Sequence, residues 1–344
     1  MNKKIGNIYY VIDDIGSANF DLIGFLRAIK NLAFLRYLKS IIINNERPIG
    51  GCKIAYTHCL LLRKAGYNAI PIRMGRYRGD FYGFDIEPVA VRKVKNRIKS
   101  NDIIVATEFF PYSIDKFGDA IKVVFVQNWI NLDRRLKQKD RQKNYLDIGY
   151  DHVMTCSDYV TRLVKQKMGI DAYTVTNGID FSVFYSDSNV REEKRILCLP
   201  RKNPQDISRI KEIVLSKYAD AEFVEAHMLT EAELADEYRK ADIFLATGYP
   251  EGFGLPPLEA MACGCAVVGF TGGGASEFMI HNKTALVAGD GDCYLAAQHI
   301  IKLLLDSEQK EKLRYAGYQK SQEYSLDAMD RRLRMFFDNL GPEE

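Results

Sequence analysis

Residues 251–264 read EGFGLPPLEAMACG, and the order of residue types in this stretch constrains everything around it. Proline is tolerated in the first turn of a helix, where its missing N–H has no partner in any case. Pro256-Pro257 therefore marks a helix start near Pro256, and Leu258, Ala260, Met261 and Ala262 carry the helix to a stop at Gly264. Glu251 falls in the entry loop, before Gly252-Phe253-Gly254. Glu259, eight positions further on, falls in the first turn and faces the same space. Glycines before a helix start leave backbone N–H groups open to close approach by an anion such as phosphate. Carboxylates beside that point would accept hydrogen bonds from hydroxyl groups, and a sugar nucleotide carries both kinds of group. A plainer reading stands beside it: acids favour the positive end of a helix dipole, and Gly-Phe-Gly before proline makes a tight turn.

Outward from this stretch, short apolar runs alternate with amphipathic helical segments, which argues for an α/β fold of parallel sheets with helices on both faces. Ala241 to Ala246 reads as the strand before it and Ala266 to Phe270 as the strand after it. Ile196 to Leu199, Ile103 to Ala106, Val123 to Val126 and Val153 to Cys156 read as further buried strands. Ser157 looks like the cap of a helix from Tyr159 to Met168. Asn177-Gly178-Ile179-Asp180 is a turn signal, and the domain boundary is placed near residue 190 with no low-complexity linker. At the end of the chain, Met329, Leu333, Phe336, Phe337 and Leu340 share one face of a helix, which must bury that side.

The bulk numbers narrow the class. With 344 residues and 47% hydrophobic composition, the chain can bury ample core as two domains. Met1-Asn2-Lys3-Lys4 is followed by too short an apolar run for a secretory leader, and no run approaches a membrane span. Seven scattered cysteines, an odd number, fit a reducing cytosol better than a disulfide framework, so a cytoplasmic location is expected. Cys263-Gly264-Cys265 lacks metal-ligand spacing and reads as small buried residues in a helix-to-strand turn. Net charge is only +3, but residues 91–99, VRKVKNRIK, hold five basic side chains and no acid, with Val91, Val94 and Ile98 at helical spacing. Residues 134–143, RRLKQKDRQK, add six basic residues against Asp140 alone. These read either as two solvated helix faces or as contacts to an anionic surface, the inner face of a membrane, at about 1 kcal/mol per well-placed cation. No nucleic-acid motif accompanies the charge. No G-x-G-x-x-G follows an early strand, which argues against a dinucleotide-dependent oxidoreductase.

The E-x7-E spacing of Glu251 and Glu259, with the strands on either side, Gly272-Gly273-Gly274, Glu277 and the upstream Leu229 to Leu234, resembles the signature of family-4 retaining glycosyltransferases. The likeness is dense from about residue 220 to 325. It implies a GT-B fold, two Rossmann-like domains facing across a cleft: an N-terminal acceptor-side domain over 1–189, a nucleotide-sugar domain over 190–325, and a terminal helix over 326–344 packing back on the first. Gly50-Gly51 and the helical run to Gly66 resemble the family's first glycine loop and helix, making Ile41-Ile42-Ile43 the preceding strand. Residues 1–39 then supply an extra strand, Ile8 to Ile12, and a helix from about Phe20 to Leu38.

By the same resemblance, Glu259 accepts hydrogen bonds from the donor ribose and Glu251 contacts the transferred sugar. Backbone N–H groups around Gly252, Phe253, Gly254 and Leu255 hold sugar and pyrophosphate. Arg201 and Lys202 neutralise the leaving diphosphate, Gly50 and Gly51 cap the cleft, and His227 lies near the nucleobase. Asp290-Gly291-Asp292 reads as a helix cap before Tyr294-Leu295-Ala296-Ala297, and no metal or other cofactor is implied. His58 reads as a core or surface residue, and Trp129 as core or as a platform for an acceptor sugar. The chain departs from the family pattern at three places. Pro200 precedes Arg201 and Asp206 occupies the position of a lysine, with Lys202 adjacent instead; Gln127-Asn128-Trp129 stands where a histidine is usual; and Gly248 stands where a serine is usual. The expected activity is transfer of a hexose from a nucleoside-diphosphate sugar to a glycan or lipid-linked acceptor, as in polysaccharide biosynthesis. The alternatives are a non-catalytic nucleotide-sugar-binding partner of another glycosyltransferase, or a phosphorylase or epimerase on the same fold. Front-face attack and double displacement through Glu251 are both chemically open.

Overall fold

The computed structural model describes residues 5–12, 50–74, 84–227 and 229–340. The expected strand at Ile41 to Ile43 and the helix from Phe20 to Leu38 lie outside the described residues. Two compact units divide the chain: one takes the described residues as far as Phe125, then Tyr145–His152 and Leu333 onward, and the other takes Val126–Asn144 and Val153–Arg332.

In the first unit β1 (Ile8–Ile12), β2 (Ala69–Arg73), β3 (Val89–Ala90), β4 (Ile103–Thr107) and β5 (Ile121–Val126) neighbour one another in the order β3-β2-β1-β4-β5. Every pairing is parallel, with Ile8 opposite Ala69 on one side and Ile103 on the other. Ile8 to Ile12 is therefore no addition to the sheet but lies in its interior, and all five residues are buried. A strand with parallel neighbours on both edges and both faces covered must be apolar throughout, as IYYVI is. Helix α1 (Gly50–Lys64) follows, burying Ile54, His58 and Leu62 along one stripe. The basic stretch 91–99 does not make one helix. A four-residue turn, α2 (Val91–Val94), passes into a 3-10 segment Lys95–Arg97. Like charges four apart, as at Lys93 and Arg97, disfavour the longer helix.

The second unit holds the parallel pair β6 (His152–Thr155) and β7 (Tyr173–Thr174), with α3 (Asp158–Met168) between them. The Ser157 hydroxyl accepts a hydrogen bond from Val160 N and caps α3, as the sequence predicts. Its main sheet comprises β8 (Glu192–Cys198), β9 (Glu222–Glu225), β10 (Ala241–Ala246), β11 (Ala266–Gly269) and β12 (Leu286–Val287), ordered β12-β11-β10-β8-β9. All four pairings are parallel. Helices α4 (Pro204–Leu215), α5 (Glu231–Lys240), α6 (Leu255–Ala262), α7 (Cys293–Leu305) and α8 (Ser307–Ser321) belong to this unit. Its core joins Ile196, Ile243 and Val268 of the strands to Ile207 and Ile210 of α4 and Ile300 of α7. The basic stretch 134–143 forms turns and a short 3-10 segment, Gln138–Asp140, instead of an α-helix. Leu136 is its single apolar residue, too little to bury a helical face. Helix α9 (Leu326–Asp338) begins in this unit, and Met329, Leu333, Phe336, Phe337 and Leu340 are all buried, matching the predicted stripe. Two parallel α/β sheets of this kind are the GT-B fold, as comparison with solved structures bears out below.

Candidate active site

Strand order locates the site. In the second unit β8 neighbours β10 on one side and β9 on the other, so the chain reverses direction across the sheet between β8 and β10. Loops leaving the carboxyl ends of two such strands diverge to opposite faces and leave a crevice, the usual ligand position in open parallel sheets. A pocket partly open to solvent lies there. Leu199, Arg201 and Lys202 enter it after β8, Thr247, Gly248 and Glu251 after β10, and Phe270 and Thr271 after β11.

The charged side chains meet over the loop after β10. Lys202 Nζ stands 2.8 Å from Glu251 Oε1, and Arg201 Nη2 stands 3.9 Å from the same oxygen. Lys202 also donates to the Pro250 carbonyl at 2.9 Å. Asn203 Nδ2 donates to the carbonyls of Thr247 and Tyr249, each at 3.0 Å. The Tyr249 hydroxyl donates to Asp206 Oδ2 at 2.9 Å, and this bond raises the phenol's pKa above its ordinary value. On the other side, Glu251 N donates to Gly272 O at 2.8 Å and Gly274 N to Glu251 O at 3.2 Å, tying the loop to the glycine run. The Ser157 hydroxyl, already a helix cap, donates to Gly252 O at 2.6 Å.

Helix α6 begins at Leu255, one residue before the expected start, behind Gly254 in a left-handed conformation with φ 91°. Two consequences follow. Glu259 becomes the fifth helical residue and falls in the second turn; it is buried, absent from the pocket lining, and accepts from the Tyr238 hydroxyl at 3.4 Å. Pro256 and Pro257 occupy the second and third helical positions, so two of the four first-turn donors do not exist. Gly254 and Leu255 retain theirs, and the cationic side chains lining the pocket beside them are Arg201 and Lys202. Phe253 is buried against the rings of Phe278 and Tyr324 and anchors the loop from below.

The remaining candidates fall elsewhere. Gly50 and Gly51 open α1 in the first unit. His227 is exposed and lies 3.8 Å from Glu225 Oε2, off the pocket lining. His58 is fully buried, with the Tyr10 hydroxyl 3.0 Å from Nδ1. Trp129 is half-buried under Lys167 Nζ, 4.9 Å from its ring. Asp292 Oδ1 accepts from Leu295 N and caps α7, while Asp290 Oδ1 accepts from Gly272 N, so the Asp290-Gly291-Asp292 stretch serves turns and a cap. Cys263 and Cys265 are buried, and burial pushes the Cys265 thiol up to about 11. Sequence reasoning did not single out Asn203, Thr247 or Tyr249. Asn203 before Pro204 reads only as a helix start, and its partners lie in another loop.

Residues 211–320, which carry both glutamates, match the family described as glycosyl transferases group 1. The chain is 25% identical over 285 residues to an alpha-1,6-glucosyltransferase of Actinobacillus pleuropneumoniae, covering 76% of this chain and 82% of that one. Anabaena HepE, solved in complex with UDP-glucose, superposes with a TM-score of 0.68 at 14% identity over 97% of this chain and all of that one. A sucrose-phosphate synthase from Thermosynechococcus elongatus does so with a TM-score of 0.67 at 13% identity, over 97% and 99%. The chain is a glycosyltransferase of GT-B fold. This glycosyltransferase is also 39% identical over 87 residues to a D-inositol 3-phosphate glycosyltransferase of Pseudarthrobacter chlorophenolicus, a match spanning 24% of this chain and 21% of that one.

Proposed function

We propose that this glycosyltransferase belongs to family 4 and moves a hexose, with retained anomeric configuration, from a nucleoside-diphosphate sugar to a glycan or lipid-linked acceptor. The observation that carries the reading is the convergence of Arg201 and Lys202 on the Glu251 carboxylate, at the strand-order reversal beside the start of α6. A departing diphosphate gains negative charge as the anomeric C–O bond breaks. Cations held in place at that point stabilise the transition state without reorganising, and removing one such group typically costs about 10²- to 10³-fold in rate. In the sequence favoured here, the acceptor oxygen attacks the anomeric carbon from the side on which the diphosphate leaves. The acceptor's proton passes to the leaving phosphate oxygen, and Glu251 holds the sugar. Arg201 and Lys202 take the part a divalent metal would otherwise play, so turnover should survive a chelator.

The similarity to an alpha-1,6-glucosyltransferase supports a hexose, and the UDP-glucose complex of HepE places that donor first for testing. The basic stretches 91–99 and 134–143 support work at the inner face of a membrane. The deciding measurement is nucleoside-diphosphate release from UDP-, GDP-, ADP- and dTDP-sugars, with and without mixed glycan acceptors and EDTA. One donor should turn over only with acceptor, and Glu251→Ala should reduce that turnover by about 10²-fold or more. Nucleotide binding with no turnover of any donor would instead indicate a non-catalytic partner, and turnover without acceptor a phosphorylase or epimerase.

A further inference from the structure

Asn203 departs from two local preferences at once. It stands at the N-cap of α4, where asparagine ordinarily accepts a hydrogen bond from a first-turn N–H, yet its side chain caps nothing. Its backbone is left-handed, with φ 50° and ψ 50°, a conformation that asparagine tolerates better than most residues but that glycine suits best. What the side chain does instead is reach the next loop, where Nδ2 donates to the carbonyls of Thr247 and Tyr249 at 3.0 Å each. Those two carbonyls flank Gly248, and a Cβ at Gly248 would stand 2.9 Å from Glu251 Oε1. The Glu251 carboxylate therefore folds over the bare backbone of Gly248 to meet Lys202, and its position depends on where that backbone is held. Departures from local preference without a local gain concentrate at sites that need a fixed geometry.

Resting on the transfer reaction set out above, we propose that Asn203 is a positioning residue, fixing the main chain of 247–249 so that the Glu251 carboxylate stays against Lys202. It touches no reacting atom and acts through Glu251.

Asn203→Gly tests this cleanly, because glycine accepts the left-handed backbone and only the amide is lost. Asn203→Asp keeps the shape but turns a carboxylate toward two carbonyls. Both should lower kcat by about 10- to 100-fold, as a displacement of roughly 1 Å at a reacting group does, while donor KM moves less than about threefold. In a Glu251→Gln background the same Asn203→Gly change should cost less than about twofold, because its target is already gone. Equal losses in both backgrounds would show a merely structural asparagine and overturn the proposal, as would an unaltered kcat. Hydrogen exchange gives a readout without turnover: amides over 247–252 should exchange faster in Asn203→Gly, and those of α7 should not. If the wild type transfers no sugar, the reaction assigned above falls, and unchanged exchange over 247–252 overturns the positioning role separately.

Discussion

At Gly252 the main chain passes so close to Gln127 that a Cβ would stand 1.9 Å from its carbonyl oxygen, while the Ser157 hydroxyl grips Gly252 O at 2.6 Å. The atoms nearest to such a Cβ are all main chain of Gln127 and Asn128, so none can swing aside. Gly252→Ala should lower the free energy of unfolding by about 3 kcal/mol or more, read from urea denaturation, because overpacking against fixed backbone has no cheap relaxation. Gly289→Ala is the control: a Cβ there meets nothing within 4 Å, and its effect should stay within about 0.5 kcal/mol. The role of Gly252 was half legible in the sequence. Glycine before a helix start announces close approach, and one such approach in the structure is made by the main chain of Gln127, a partner that no local pattern names. Glu251 falls in the entry loop as expected because loop and helix grammar are local. Glu259 stands one helical position later than expected, because a single residue's error in a helix start carries a side chain across a turn boundary. Asn203 was invisible because its function lies entirely in long-range partners.

Helix α1 carries a pH dependence. Its His58 is fully buried between the Tyr10 hydroxyl and the ring of Phe125, whose centroid is 5.0 Å away, and burial pushes the imidazole pKa down to about 3. The unfolded chain binds this proton near pH 6.5 and the folded one does not, so stability is fully present above pH 6.5 and lost progressively as pH falls toward 3. By pH 5 the loss from this one group amounts to about 2 kcal/mol. Urea denaturation at pH 7 and pH 5 should show it, and His58→Phe should shrink the difference between the two by about that amount, whatever it does to absolute stability. Elements themselves were well marked in the sequence. The apolar runs at 103–106, 123–126, 196–199 and 241–246 all fall within or at the edge of observed strands. Their neighbours were not marked, and Ile8 to Ile12 looked like an addition although it pairs with strands on both sides. Hydrophobicity records that a strand is buried, not which strands bury it. The basic stretch 91–99 failed as one helix because periodicity alone ignores repulsion among the cations, and 134–143 because it lacks an apolar face.

For the whole molecule, no helix among the described residues is long and apolar enough to cross a membrane. Arg92, Lys93, Lys95, Arg97 and Lys99 are exposed, as are Arg134, Arg135, Lys137, Lys139, Arg141 and Lys143. Reversing the charge of Lys93, Lys95, Arg134 and Arg135 should weaken cosedimentation with phosphatidylserine-containing vesicles by more than about a hundredfold at low salt, taking about 1 kcal/mol for each cation. Binding that survives the reversal would remove the membrane surface from the proposed function. The architecture was legible at this scale because alternating strand and helix signals admit few arrangements, and dense similarity over the second half supplied the topology.

The bonds from Lys202, Asn203 and Asp206 to residues 249–250 and 247 also bear on how this protein can be changed by evolution or by hand. Two stretches distant in sequence are joined as a single part, and each is expected to lose its shape when the other alone is exchanged. A library that varies 247–251 while leaving 200–206 fixed would chiefly sample broken joints. Grafting both stretches together from a relative would move a whole donor-facing cassette onto a sheet that need not notice the exchange.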